Sequence, residues 1–156
     1  MSFRLRSDAR KWFSEIETRE PKKSVWDLYY FCLMVGLAGG RKRDPVDNNL
    51  QTLELVDYFI EDFKPAQQLI LGLLIDAEIK KGGIALTEKA AVRDVIRRLI
   101  SASNNANLTE YGFKTLNAYA SGGYDFMAAA RDTKPQSPEE FHRDFVSLVD
   151  EAATAA

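Results

Sequence analysis

The chain has 156 residues, 46% of them apolar and 28% charged, an ordinary balance for one globular domain, long enough to bury roughly two thirds of its unfolded surface without a cross-link. One cysteine excludes an internal disulfide and a cysteine zinc site. No apolar run approaches the roughly 20 residues that a bilayer crossing requires, and the net charge of −2 excludes a uniformly basic or acidic surface.

In chain order, Phe3-Arg4-Leu5-Arg6 alternates as a short strand does. Ser7 then stands in N-cap position before a first helix over Asp8 to Glu17, with Trp12, Phe13 and Ile16 on one face. Thr18 to Lys23, holding Pro21, reads as a connection. Ser24-Val25-Trp26-Asp27 is a capping pattern opening a second helix to about Leu37, which has almost no polar face and is therefore expected to be buried all round. Gly39-Gly40 supplies its left-handed cap. Arg41 to Asn49, with Asp44-Pro45 and Asn48-Asn49, reads as a loop.

A third helix is expected over about Leu50 to Phe63, because Leu53, Val56, Phe59, Ile60 and Phe63 recur at helical spacing. Pro65 opens a fourth, whose Leu69 to Ile75 is the most apolar stretch and hence the expected central helix. Lys80-Lys81-Gly82-Gly83 ends it. Thr87 caps a fifth, with Val92, Val95, Ile96, Leu99 and Ile100 inward and Arg93, Arg97 and Arg98 outward. A sixth spans about Thr109 to Ala120, stopped by Gly122-Gly123, and Tyr124 to Arg131 forms a short seventh. Ser137-Pro138-Glu139-Glu140 starts the last helix, with serine at N-cap and proline at N1. Residues 152–156 are expected to fray. No internal repeat or long linker appears, so the reading is a single compact all-α bundle of about seven or eight helices with a short N-terminal strand.

Charge is unevenly spread. Residues 1–43 carry ten bases against five acids, whereas residues 44–156 carry eleven against eighteen. The chain thus divides into a basic N-terminal helical pair (1–43) and an acidic helical remainder (44–151). Such a dipolar surface steers a polyanion or an acidic protein face to one end.

Few constellations suggest chemistry. Gly36-Leu37-Ala38-Gly39-Gly40-Arg41-Lys42-Arg43 has glycines and a lysine, but a helix precedes it and Arg43 occupies the position of the phosphate-loop hydroxyl. Glu139 and His142 have the spacing of a di-iron half-site, which must occur twice, and the chain has one histidine. Cys32, set among apolar neighbours in a buried helix, reads as core. Glu54, Asp57, Glu61 and Asp62 read as the wet side of a helix. Tyr111, Phe113, Tyr119, Tyr124 and Phe126 read as packing residues. No catalytic residue, metal ligand or cofactor site is assigned.

The basic alternation Phe3-Arg4-Leu5-Arg6-Ser7, the helix with Arg10 and Lys11 and the second helix from Ser24 resemble a ribbon-helix-helix module. More loosely, the same order resembles the small DndE proteins of bacterial DNA phosphorothioation systems. The resemblance covers the first quarter of the chain. It implies a dimer whose strands enter the DNA major groove, with Arg4 and Arg6 as the reading side chains. The resulting expectation is a cytoplasmic, non-enzymatic accessory subunit of a bacterial DNA-handling or anti-phage defence assembly. It would contact nucleic-acid phosphates through Arg4, Arg6, Arg10, Lys11, Arg41, Lys42 and Arg43. The alternative is a scaffold subunit, or a homo-oligomer, in which the same cations meet an acidic or apolar protein partner. The lone cysteine and the lack of a charged-then-apolar leader underlie the expected reducing cytoplasmic setting. No membrane partner is expected.

Overall fold

The computed structural model describes residues 1–19 and 25–156. The connection around Pro21 and the cap assigned to Ser24 lie outside the described residues. In chain order the elements are β1 (Arg4–Arg6), α1 (Ser7–Trp12), α2 (Ser14–Arg19), α3 (Val25–Gly39), β2 (Thr52–Glu54), a 3-10 turn (Lys64–Ala66), α4 (Gln67–Lys81), α5 (Lys89–Leu99), α6 (Glu110–Ala130) and α7 (Pro138–Ala155). The fold is all-α, with one two-stranded sheet and an isolated antiparallel bridge between Ile100 and Leu108 among the described residues.

The centre is α3 lying along α6, with α7 on a further side of α3. Trp26, Leu28, Tyr29, Cys32, Leu33 and Val35 are all buried, as the lack of a polar face predicts. The two backbones touch: a Cβ on Gly36 would lie 1.9 Å from the Tyr119 carbonyl oxygen, and one on Gly123 would lie 1.8 Å from that of Cys32. This contact explains a correction. The Gly122-Gly123 pair does not stop a helix; α6 runs unbroken through it, and the glycines serve close approach instead of capping. Gly40, by contrast, does end α3 at φ 63°, the left-handed conformation that favours glycine.

The expected third helix is absent. Residues 52–54 form β2, antiparallel to β1 with Leu5 opposite Leu53. Phe3 and Leu5 are buried, so the backbone groups around them need partners. The chain at 51–56 supplies these, Leu55 N–H donating to Phe3 O and Phe3 N–H to Val56 O. Tertiary pairing thus overrides helical spacing. Phe3 anchors this corner among Trp26, Phe113, Phe59 and Tyr29, with ring centroids 4.7 to 5.7 Å away, all edge-on, each pair adding about 0.5–1.5 kcal/mol beyond area burial.

Smaller corrections have similar origins. The first helix is broken at Phe13, and Arg6, not Ser7, is the N-cap residue of α1. The central position belongs to α3, not α4; Leu69 on α4 is 61% exposed. On α5, Glu88 rather than Thr87 precedes the helix without a side-chain cap, and Ile96 faces solvent at 38% exposure. The α7 start is as read, Ser137 Oγ accepting from Glu140 N–H. Its end does not fray: the helix reaches Ala155, and Ala152 is buried against Gly39.

Candidate nucleic-acid interface

The seven expected phosphate contacts occupy different environments. Arg6 is only 5% exposed. Its Nε and Nη2 donate to the two Asp8 carboxylate oxygens at 3.0 and 2.7 Å, and Nη1 donates to Asp125 at 2.6 Å and to Ser121 Oγ at 3.2 Å. Tyr124 stacks on the guanidinium at 4.9 Å. Burial opposes its charge, but the hydrogen bonds it donates to Asp8 and Asp125 outweigh that and raise its pKa. Arg6 therefore ties β1 to α6, and the groove-reading role implied for it is corrected: its donors are spent inside the fold.

Arg4 lies 3.7 Å from Glu54 and donates to Thr52 Oγ1 at 3.3 Å. Arg10 is clamped on Glu17, Nη2 to Oε1 at 2.9 Å, and these hydrogen bonds raise its pKa. Lys11 is exposed and makes no ion pair among the described residues. In the loop after α3, Arg43 stands 3.5 Å from Asp125. Both basic clusters thus meet at one α6 carboxylate, with Arg6 beneath and Arg43 above. Arg41 is exposed, stacked on Phe126 at 4.8 Å. Lys42 bonds Glu78 at 3.0 Å.

The loop cannot act as a phosphate cradle. Arg41 N–H donates to Gly36 O and Arg43 N–H to Ala118 O, so amides that would face phosphate in such a loop are already used. Cys32 is fully buried, and burial pushes its thiol pKa well up, the reverse of an activated nucleophile. His142 is exposed on α7, near the Phe31 ring. Among the described residues no three His, Cys, Asp or Glu side chains converge to hold a metal ion, and no helix is long and apolar enough to cross a membrane. The four acids read as a helix face do not form one: Glu54 sits on β2, accepting from Ser2 Oγ at 2.9 Å.

A second basic region went unread in the sequence. Residues 79–98 hold six bases (Lys80, Lys81, Lys89, Arg93, Arg97, Arg98) and two acids (Glu88, Asp94), inside a half whose total is acidic. Lys89, Arg93 and Arg97 are spaced four apart on α5 and share one exposed face. The signal was available as spacing; averaging over residues 44–156 hid it.

This region adjoins the loop after α3. Lys42, Lys81 and Arg98, with Glu78 and Tyr111, line a cleft of about 250 Å³ walled by Ile84, Val95 and Leu99. The Glu78 carboxylate is 10% exposed and bonded by both Lys42 and the Tyr119 hydroxyl, the latter at 2.6 Å. Burial and that hydrogen bond raise the Tyr119 pKa, so Tyr119 stays a donor to the carboxylate. A cleft of the same volume at the N-terminus carries balanced charge, with Arg4 and Lys114 facing Asp44 and Glu110.

Comparison with family models, curated proteins and solved structures returns no match. Function is therefore inferred from this surface alone.

Proposed function

We propose that the protein is a non-catalytic accessory subunit of a DNA-handling assembly, touching nucleic-acid phosphates through Arg41, Lys42 and the exposed face of α5. The observation that carries this reading is the Lys89, Arg93, Arg97 stripe. Like charges four apart on a helix destabilise it by about 0.2–0.5 kcal/mol per pair, and Lys89 in the first turn also opposes the helix dipole. Arg97 and Arg98 at the C-terminus complement that dipole, and Arg97 also stands 3.8 Å from Asp94, but Lys89 and Arg93 bring the fold no such gain. Cations kept at a small expense to stability suit an external anion. Lys11, with no ion pair among the described residues, adds to the same field from the N-terminal end.

Fluorescence anisotropy with duplex and single-stranded DNA at two salt concentrations tests this. Binding should weaken steeply with salt, because each phosphate neutralised releases a counterion. Replacing Lys89, Arg93 and Arg97 by Gln should remove most of the affinity and flatten the salt dependence, whereas Arg4→Gln should change little. Absence of binding at low salt overturns the reading.

One observation favours the second reading, a scaffold subunit meeting a protein partner: Leu69 and Leu86, in and just after α4, are 61% and 75% exposed. Replacing both by Ser would then abolish partner capture, and the wild-type protein would show no DNA affinity at low salt.

A further inference from the structure

The cleft between the loop after α3, the end of α4 and the end of α5 differs from the rest of the basic surface in how its cations are held. Lys81 Nζ donates to the Gly40 carbonyl at 2.8 Å, tying the end of α4 to the cap of α3 and leaving two of its three N–H groups. Lys42 is fixed on Glu78 at 3.0 Å and lies over the Tyr119 ring at 5.6 Å. Arg98 is fixed twice without using a guanidinium donor: its carbonyl accepts from Thr109 Oγ1, and its guanidinium carbon stacks on Tyr111 at 4.6 Å. That guanidinium makes no ion pair and no hydrogen bond among the described residues. Five N–H donors in a planar fork are thus held in position by stacking alone, the geometry suited to two oxygens of one phosphate.

Charge sets the class of anion. Three cations face one carboxylate, and that carboxylate is already bonded by Lys42 and Tyr119. The cleft retains about two positive charges, which match a dianion better than the single charge of a backbone phosphodiester. About 250 Å³ lies below the roughly 300–1,000 Å³ usual for drug-sized ligands, enough for a phosphate and part of its attached group.

We infer that this cleft binds a phosphomonoester dianion, held by Arg98 in a two-point hydrogen bond with Lys42 and Lys81 beside it. The inference rests on the proposed nucleic-acid reading only for the source of that group, the phosphorylated end of a strand.

The test compares a single-stranded oligonucleotide carrying a 5′-phosphate with its 5′-hydroxyl twin, and adds a nucleoside 5′-monophosphate and inorganic phosphate as competitors. The 5′-phosphorylated strand should bind about tenfold more tightly, the worth of one charge-assisted pair. Arg98→Gln should erase the difference while Arg93→Gln, on the same helix but outside the cleft, preserves it. If the monophosphate or inorganic phosphate binds and neither strand does, the cleft stands and the nucleic-acid reading falls. Equal binding of both strands, with no competition from either small phosphate, overturns the cleft and leaves backbone contact intact. Should Arg98→Gln unfold, Lys81→Gln, which lines the same cleft, provides the same comparison.

Discussion

Arg6 and Arg98 are the same side chain put to opposite uses. Arg6, the last residue of β1, spends its donors on Asp8, Asp125 and Ser121 and is almost wholly covered. Arg98, at the end of α5, is braced by an aromatic face and keeps its donors. Net charge counts the two alike, yet a guanidinium given to internal carboxylates belongs to the fold, and one braced by stacking remains open to the outside. Charge density along a sequence therefore locates cations, and pairing decides which of them form a surface.

The contrast also separates interior positions that resist substitution from surface positions that tolerate it. The largest effect should come from Gly123→Ala, which sets a methyl against the Cys32 carbonyl where α3 and α6 meet. Overpacking usually costs about 1–3 kcal/mol, and a backbone collision belongs at or beyond the top of that range. Urea denaturation should show the loss, and a stability near wild type would mean that the helices part easily. Arg6→Gln should lose about 2 kcal/mol by the same assay, since it removes charge-assisted hydrogen bonds while Asp8 and Asp125, 51% and 34% exposed, keep water as a partner. A much smaller loss would make Arg6 as dispensable as a surface cation and erase its difference from Arg98.

Alkaline pH probes the same interior. Burial raises the Cys32 thiol and the Tyr29 hydroxyl above their ordinary values, so the native state keeps protons that the unfolded chain releases. Their contribution is complete below the unfolded values and is lost as pH rises past about 8.5 for the thiol and about 10 for the tyrosine. Between about pH 7 and pH 10 the thiol alone should account for a decline of about 2 kcal/mol, absent in Cys32→Ala. The smallest effect belongs to the surface positions. Arg93→Gln and Arg98→Gln should shift stability by no more than about 0.5 kcal/mol, as exposed substitutions do. A thermal melt showing a larger fall for Arg98→Gln would place it with Arg6.

What the sequence made legible follows the same division. The buried α3, the loop with its cap at Gly40 and the Ser137-Pro138 start were readable because each is decided locally, by composition or capping chemistry. Residues 50–63 and the α6 run through Gly122-Gly123 were not, because a distant partner decides them: β1 recruits Thr52 to Glu54, and α3 demands glycine from α6. At the candidate site, Lys42 was legible as part of a basic run. Lys81 looked like a helix-end charge satisfying a dipole and Arg98 like one of three outward cations of its helix, and only the packing of α4 and α5 beside the loop gathers them.

The bare crossing of α3 and α6 also bears on ancestry. Side chains at most core positions can drift as long as total volume is kept, whereas a place where two main chains touch admits no substituent from either. Gly36 and Gly123 form such a place. Divergent kin of this protein should therefore retain that pair long after their surfaces and loop lengths have become unrecognisable, which makes a glycine in each of two apolar helices a better criterion for finding them than overall identity.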